Sequence, residues 1–427
     1  MNYTELTTEE LLNLKIRLDA QYEFLKALNL KLDMSRGKPS NDQLKLSMDM
    51  LNILQREDDI FSEENIDCRN YGVLDGLKEA KQLIADLTEV KPEQVFVAGN
   101  GSLNLMYTLI AHAWIHGIDG ALPWGKQEKI KFLCPVPGYD RHFKITESFN
   151  IEMINMPMSK SGPDMDLVEK YVNEDPTVKG IWCVPKYSNP DGYTYSDTVV
   201  RRMAALKPAA SDFRIFWDNA YIVHHLDFDN PDMLLNIFEE CKKNKNIDIL
   251  YGFVSTSKMT FPGSGIAAFI ASEKNIAEMK KYMATETIGF DKLNQLRHVR
   301  FFKDRRGIEE HMKKHASIVR KRFQIVLKRF EELGECGIAS WTNPKGGYFI
   351  SLYTLVGCAK RTVELCKDAG VILTDAGAAY PYGKDPKDSH IRIAPTFPSI
   401  EDLQKATEAM VLCAKLAAVE KLLAELA

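Results

Sequence analysis

Phe213-Arg-Ile-Phe-Trp217 runs straight into Asp218-Asn-Ala-Tyr221, and Ile247-Asp-Ile-Leu-Tyr-Gly-Phe253 runs into Val254-Ser-Thr-Ser-Lys258. Each is an apolar run of strand length that stops on polar and charged residues. The arrangement recurs outward on both sides. Val95-Phe-Val-Ala98, Ile130-Lys-Phe-Leu-Cys134 and residues 151–156, 179–184 and 266–271 read as further strands. Helical patterns lie between them at 72–86, 102–116, 164–172, 196–206 and 231–243. Strands of five or six residues alternating with helices mark a mostly parallel, buried sheet. The expectation is an α/β protein with a large, mostly parallel, seven-stranded sheet.

The flanks read differently. Leu11, Leu14, Leu18, Tyr22 and Leu25 recur at helical spacing behind a cap at Thr8. Beyond residue 273 come charged helices at 273–285 and 304–333, short strands at 347–352, 371–373 and 390–393, and a last helix at 399–426. The expected division is an N-terminal segment (1–45) packing with the small domain, a large domain (46–300) and a small α+β C-terminal domain (301–427).

Composition narrows the function. Of 427 residues, 45% are hydrophobic and 27% charged, which excludes a disordered chain, a collagen or a membrane bundle. The balance of 55 Lys+Arg against 59 Asp+Glu leaves −4, with no basic excess for a nucleic-acid backbone. No stretch approaches the roughly 20 apolar residues of a membrane span. The start, Met1-Asn-Tyr-Thr-Glu-Leu-Thr-Thr-Glu-Glu10, is acidic and unlike a secretory signal. The 8 cysteines include no Cys-x-x-Cys pair and read as reduced thiols in a cytoplasmic protein. A small-molecule substrate is expected, with no nucleic-acid and no membrane partner.

Five motifs sit where strands end, the edge at which open α/β sheets bind ligands. In Val97-Ala-Gly-Asn-Gly-Ser102, a tight turn enters a helix whose N-terminal amides favour an anion, with Ser102 as its cap. The plain alternative is a structural turn. Lys258 closes a buried strand, where desolvation makes an amine nucleophilic; otherwise it is a surface loop lysine. Asp218 closes another strand and needs a cationic partner unless it caps a helix. Asn189, in Pro185-Lys-Tyr-Ser-Asn-Pro-Asp-Gly192, is held extended by Pro190 with its amide free, or belongs to a plain turn. Tyr139, in Pro135-Val-Pro-Gly-Tyr139, offers a stacking face or is a core-edge ring. Apart from these, Arg392 in His390-Ile-Arg-Ile-Ala394 lies mid-strand, with a guanidinium fork suited to a carboxylate. The pairs His112/His116 and His311/His315 lack the further ligands of a metal site, and no metal is expected.

A phosphate cradle, a stacking ring, an amide, a carboxylate, a phenol and a reactive lysine together suit a flat, phosphorylated pyridine aldehyde. Asn189-Pro-x-Gly192, Asp218-x-x-Tyr221, Ser255-x-Ser-Lys258 and the Arg392 strand, in that order, resemble the fold-type I, class I pyridoxal-phosphate aminotransferases. The resemblance is closest to the Ic-subgroup aspartate aminotransferases and to the aminotransferase domain of MocR-like regulators. It implies pyridoxal 5′-phosphate held as a Schiff base on Lys258, which also carries the proton between substrate carbon and cofactor. Asp218 would keep the pyridine nitrogen protonated. Asn189 and Tyr221 would bond the ring phenolate, and Tyr139 would stack on the ring. Gly101, Ser102, Leu103 and Ser255 would cradle the phosphate, with Ser257 as a further candidate.

For the substrate, the resemblance implies Arg392 and the backbone of Gly37 at the α-carboxylate, beside Asn189. Tyr71, in Asn70-Tyr-Gly-x-x-x-Gly76, would reach the partner's phosphate in a homodimer with shared active sites. Arg36, Lys38, Arg141, Arg297 and Arg300 are candidates for a second substrate carboxylate, Arg36 first. The sequence departs from the family where Pro262-Gly-Ser-Gly265 has glycine in place of the usual phosphate arginine. The expected reaction is amino transfer from aspartate to 2-oxoglutarate in amino acid metabolism. The alternatives are another amino acid substrate, a lyase on the same fold, or a non-catalytic MocR-like sensor.

Overall fold

The computed structural model describes residues 2–426. At its centre is an eight-stranded sheet. In chain order its strands are β1 (Val95–Val97), β2 (Lys131–Val136), β3 (Glu152–Ser159), β4 (Gly162–Pro163), β5 (Val178–Cys183), β6 (Arg214–Asp218), β7 (Leu250–Ser255) and β8 (Ala267–Ile270). They lie side by side as β1-β8-β7-β6-β5-β2-β3-β4. β2, β3, β5, β6 and β7 are parallel, and β8 runs antiparallel to both of its neighbours. β1 therefore points the same way as the parallel set, and its end joins theirs on one edge.

The seven expected strands are all present; the count was one short. β4 is a two-residue antiparallel return on β3. A Gly-Pro dipeptide has no apolar run to announce it.

Every residue of β5 and β6 is buried, which explains their near-continuous hydrophobicity. Alternation still sorts their side chains. Phe216 and Trp182 pack on one face with Met106 and Ile110 of the helix Ser102–His116. Ile215, Trp217 and Ile181 pack on the other with the helices Met165–Glu174, Asp197–Ala204 and Ile237–Lys243. The helix expected at 72–86 begins only at Lys78 and ends at Thr88. Gly72 and Gly76 have φ of +102° and +96°, outside the helical region, and Gly76 sits against Val97 where a side chain has no room. The helix Lys292–Phe302 was not anticipated.

A second body surrounds the chain termini. Thr7, not Thr8, caps the first helix (Thr8–Ala27), in a reciprocal box with Glu10. That helix buries Leu11, Leu14, Leu18, Tyr22 and Leu25 in one cluster with Phe323, Phe330, Met410 and Leu416. The same cluster takes in the antiparallel sheet Ala339–Trp341, Ile350–Thr354 and His390–Ile393. Leu32–Asp33 pairs in parallel with Val371–Ile372, tying the N-terminal segment to this body. Between the two bodies lies a small buried cluster of Val184, Tyr187, Tyr221, Tyr348, Phe349 and Ala394.

All eight cysteines are free and buried. No described helix is long and apolar enough to cross a membrane, and no group of potential metal ligands occurs among the described residues. His116 stacks on Tyr282 at 4.5 Å, and His112 lies 3.5 Å from Glu286.

Burial lowers three core histidines far below their usual range: His298 to about 4, and His315 and His390 to about 3. An unfolded histidine takes up its proton near pH 6.5. Below that pH the unfolded chain therefore binds more protons than the folded one. The stability these groups contribute is complete above pH 6.5 and is lost as pH falls toward 4, at about 1.4 kcal/mol per unit for each. Urea unfolding should show a clearly lower midpoint at pH 5.5 than at pH 7; equal midpoints would contradict neutral, buried imidazoles.

Candidate active site

The ends of β1, β2, β5, β6 and β7 converge on one edge, and five of the sequence motifs meet there. Asp218 is the last residue of β6, not a helix cap, and is 3% exposed. Its Oδ2 lies 3.0 Å from Nε2 of His142, which donates the bond. His142 stands on the helix Asp140–Ser148 and stacks on Trp182 of β5, centroids 4.5 Å apart and planes 12° apart. The indole in turn donates to Thr146 on that helix at 3.1 Å. The carboxylate is thereby fixed in direction. Its other oxygen, Oδ1, is buried and has no partner among the described residues. A buried carboxylate oxygen left open points to a missing donor.

Lys258 lies in the turn after β7. Its ammonium stands 5.0 Å over the ring of Tyr221 and makes no ion pair among the described residues. Burial lowers its pKa, with Asp218 opposing the shift. Tyr221 is 2% exposed, and burial raises its phenol well above the ordinary range. Burial, helped by Asp218 and Asp140, pushes Tyr139 up to about 12. Asn189 is buried, with its Oδ1 3.4 Å from Arg392.

A polar network that sequence reasoning missed braces the lysine turn. His311 donates to the Met259 carbonyl at 2.8 Å and lies 3.1 Å from His315. Gln43 bonds both His315 (3.1 Å) and the Tyr348 hydroxyl (2.8 Å), and Tyr348 donates to the Lys258 carbonyl at 3.3 Å. The metal-like His311/His315 spacing is therefore a structural clamp. His142 was also missed, although a histidine three residues beyond Tyr139 was there to be read.

The glycine turn presents an open helix end. Gly101, rather than Ser102, is the N-cap; no side chain caps the helix and no acidic residue lies in its first turn. The amides of Ser102 and Leu103 are free of local competition for an anion. Ser255 ends β7 beside it. Ser257 donates its hydroxyl to the Asn100 carbonyl at 2.7 Å, so it ties the lysine turn to the glycine turn. Gly265, where the resemblance leads one to expect an arginine, is tightly packed. A Cβ there would lie 3.0 Å from the Ser257 amide nitrogen and 3.1 Å from the Asn100 oxygen. Asn294 holds this loop by donating to the carbonyls of Ser264 (3.1 Å) and Gly265 (2.9 Å).

Arg392 approaches from the second body. Its guanidinium lies 5.0 Å over the Phe349 ring and 2.6 Å from Asp140. Gly37 packs on the same ring; a Cβ there would meet it at 2.5 Å. Thr374 accepts from Arg392 at 3.5 Å and donates to the Ser35 carbonyl at 2.6 Å, bringing residues 35–37 to the site. Arg36 is exposed beside it. Tyr71 is 80% exposed and does not enter this chain's own pocket.

A family model described as aspartate amino-transferase matches residues 6–425. The chain belongs to that family. An aspartate aminotransferase of Corynebacterium glutamicum is 44% identical over 402 residues, covering 94% of this chain and 92% of that protein. The crystal structure of an aspartate transaminase from the same species superposes with a TM-score of 0.95 at 41% identity, covering 99% of each chain. LysN, an α-aminoadipate aminotransferase from Thermus thermophilus complexed with N-(5′-phosphopyridoxyl)-L-leucine, shares the fold at 17% identity and a TM-score of 0.74, covering 92% of this chain and 93% of that one. The expected fold type I architecture is thus borne out, and this chain is an aminotransferase.

Within this aminotransferase, the His142 bond to Asp218 is open to a direct test. His142→Phe leaves both oxygens of a buried carboxylate unpartnered, at a cost of about 1–3 kcal/mol. Urea unfolding should show that loss, and it should shrink in an Asp218→Asn background. Equal losses in both backgrounds would mean that His142 acts by packing alone.

Proposed function

We propose that this aminotransferase uses pyridoxal 5′-phosphate to move the amino group of L-aspartate to 2-oxoglutarate, with Lys258 as the attachment and proton-carrying residue. The observation that carries the reading is Asp218: one oxygen fixed by His142, the other buried and open, near a lysine that makes no ion pair among the described residues. That donor set fits a protonated pyridine ring with an aldehyde arm. When bound, the cofactor supplies an electron sink for the pair released at the substrate carbon.

Asp218, whose Oδ1 is buried and open, would hold the ring-nitrogen proton. Burial favours the neutral amine of Lys258, whose Nζ would attach the cofactor's aldehyde arm and would serve as the base for the substrate Cα proton. Tyr221 and Asn189 would hold the ring oxygen, and Tyr139 would cover the ring face. The amides from Gly101 to Leu103 and the Ser255 hydroxyl take the phosphate. Ser257 supports that cradle through Asn100. Arg392 and the Gly37 backbone take the α-carboxylate, and Arg36 is the candidate for the distal one. The exposure of Tyr71 supports a homodimer in which it completes the partner's phosphate site. The eight free thiols fit the reducing cytoplasm.

The purified protein should show a yellow absorbance band that bleaches on adding L-aspartate without acceptor. A band that only another amino acid bleaches would replace the substrate. No band even with added pyridoxal phosphate would end the reading. Lys258→Ala should lose at least about 10²–10⁴-fold in turnover, the usual worth of positioned proton transfer, and retention of full activity would exclude its role.

A further inference from the structure

The chain already presents a carboxylate of its own to Arg392. That arginine is 8% exposed, and Asp140 Oδ1 lies 2.6 Å from its Nη1. Its other contacts are longer: Asn189 Oδ1 at 3.4 Å from the same nitrogen and Thr374 Oγ1 at 3.5 Å from Nη2. Nε is buried without a partner among the described residues. Among the described residues, Asp140 is thus the one short bond of a buried guanidinium that stays charged. Asp140 itself is only partly buried, its side chain 27% exposed. It is also the first residue of the helix Asp140–Ser148, where a carboxylate is stabilised by the N-terminal amides. A favourable position away from Arg392 is therefore within its reach.

We propose that Asp140 is an internal stand-in for the substrate's α-carboxylate. It keeps Arg392 paired and oriented in the resting site, and it yields the Nη1 corner, beside Asn189, when substrate binds. This rests on the reading of Arg392 as the α-carboxylate clamp. Stripping the partner from a buried charge costs more than exchanging one partner for another. Exchange leaves Arg392 compensated throughout. Two carboxylates at one guanidinium corner repel, so entry of one requires exit of the other. The device selects for ligand class: an amine without a carboxylate has nothing to exchange. It also raises KM, because each substrate competes with a tethered rival.

The test uses the holoenzyme with Asp140→Asn and Asp140→Ser, each removing the charge, and with Arg392→Lys in parallel. KM for L-aspartate and the inhibition constant of succinate are measured for all. Both Asp140 variants should lower both constants about tenfold, the low end of what a charge-assisted hydrogen bond is worth. A merely structural Asp140 would lower kcat and the melting temperature and leave KM unmoved or raised. Constants unchanged or raised in both Asp140 variants overturn the stand-in. Should Arg392→Lys raise both constants while the Asp140 variants do not lower them, only the stand-in fails. Should Arg392→Lys move neither constant, the reading of Arg392 fails first.

Discussion

A carboxylate at the end of a fully buried strand constrains much of what surrounds it. A carboxylate buried there needs donors, and the fold supplies one, His142, from the helix that follows β2, two strands away in the sheet. The imidazole is oriented by stacking on Trp182, and the indole is pinned by Thr146 of the same helix. Sheet and helix are thus locked by one polar chain that ends on an open oxygen. The need for a donor at that oxygen is built into the backbone long before any ligand arrives.

The second constraint is closeness. The lysine turn, the glycine turn and the 262–265 loop pack so tightly that a side chain at Gly265 would press on Ser257 and on the Asn100 carbonyl. Ser257 ties the lysine turn to the glycine turn through the Asn100 carbonyl, and Asn294 ties the 262–265 loop to the helix Lys292–Phe302 through the carbonyls of Ser264 and Gly265. The donors this arrangement leaves at the helix start are amides, which carry no titratable charge.

Much of this was legible in the sequence. Short apolar runs alternating with helical patterns, and their polar ends, were enough to read the sheet, its seven main strands and the convergence of Asp218, Asn189, Lys258 and Tyr139. The two-residue β4 left no hydrophobic pattern. The false helix start at 72 came from apolar spacing that ignored two glycines held at positive φ. His142 and the Gln43–His315–His311–Tyr348 network were invisible for another reason. Their roles depend on partners up to 305 residues away, between Gln43 and Tyr348, and no local spacing encodes such a contact. The His311/His315 pair shows the converse: a regular spacing with a structural use.

The small aromatic cluster between the two bodies has a mechanical meaning. Arg392 and Gly37 are anchored to the core around the chain termini, whereas Asp218 and Lys258 stand on the central sheet. Tyr221, Tyr348 and Phe349 lie in the seam. A molecule gripped at both ends is then a strut across two separately packed solids. The rings there, broad and weakly directional in their contacts, fill the seam as a gasket between the two.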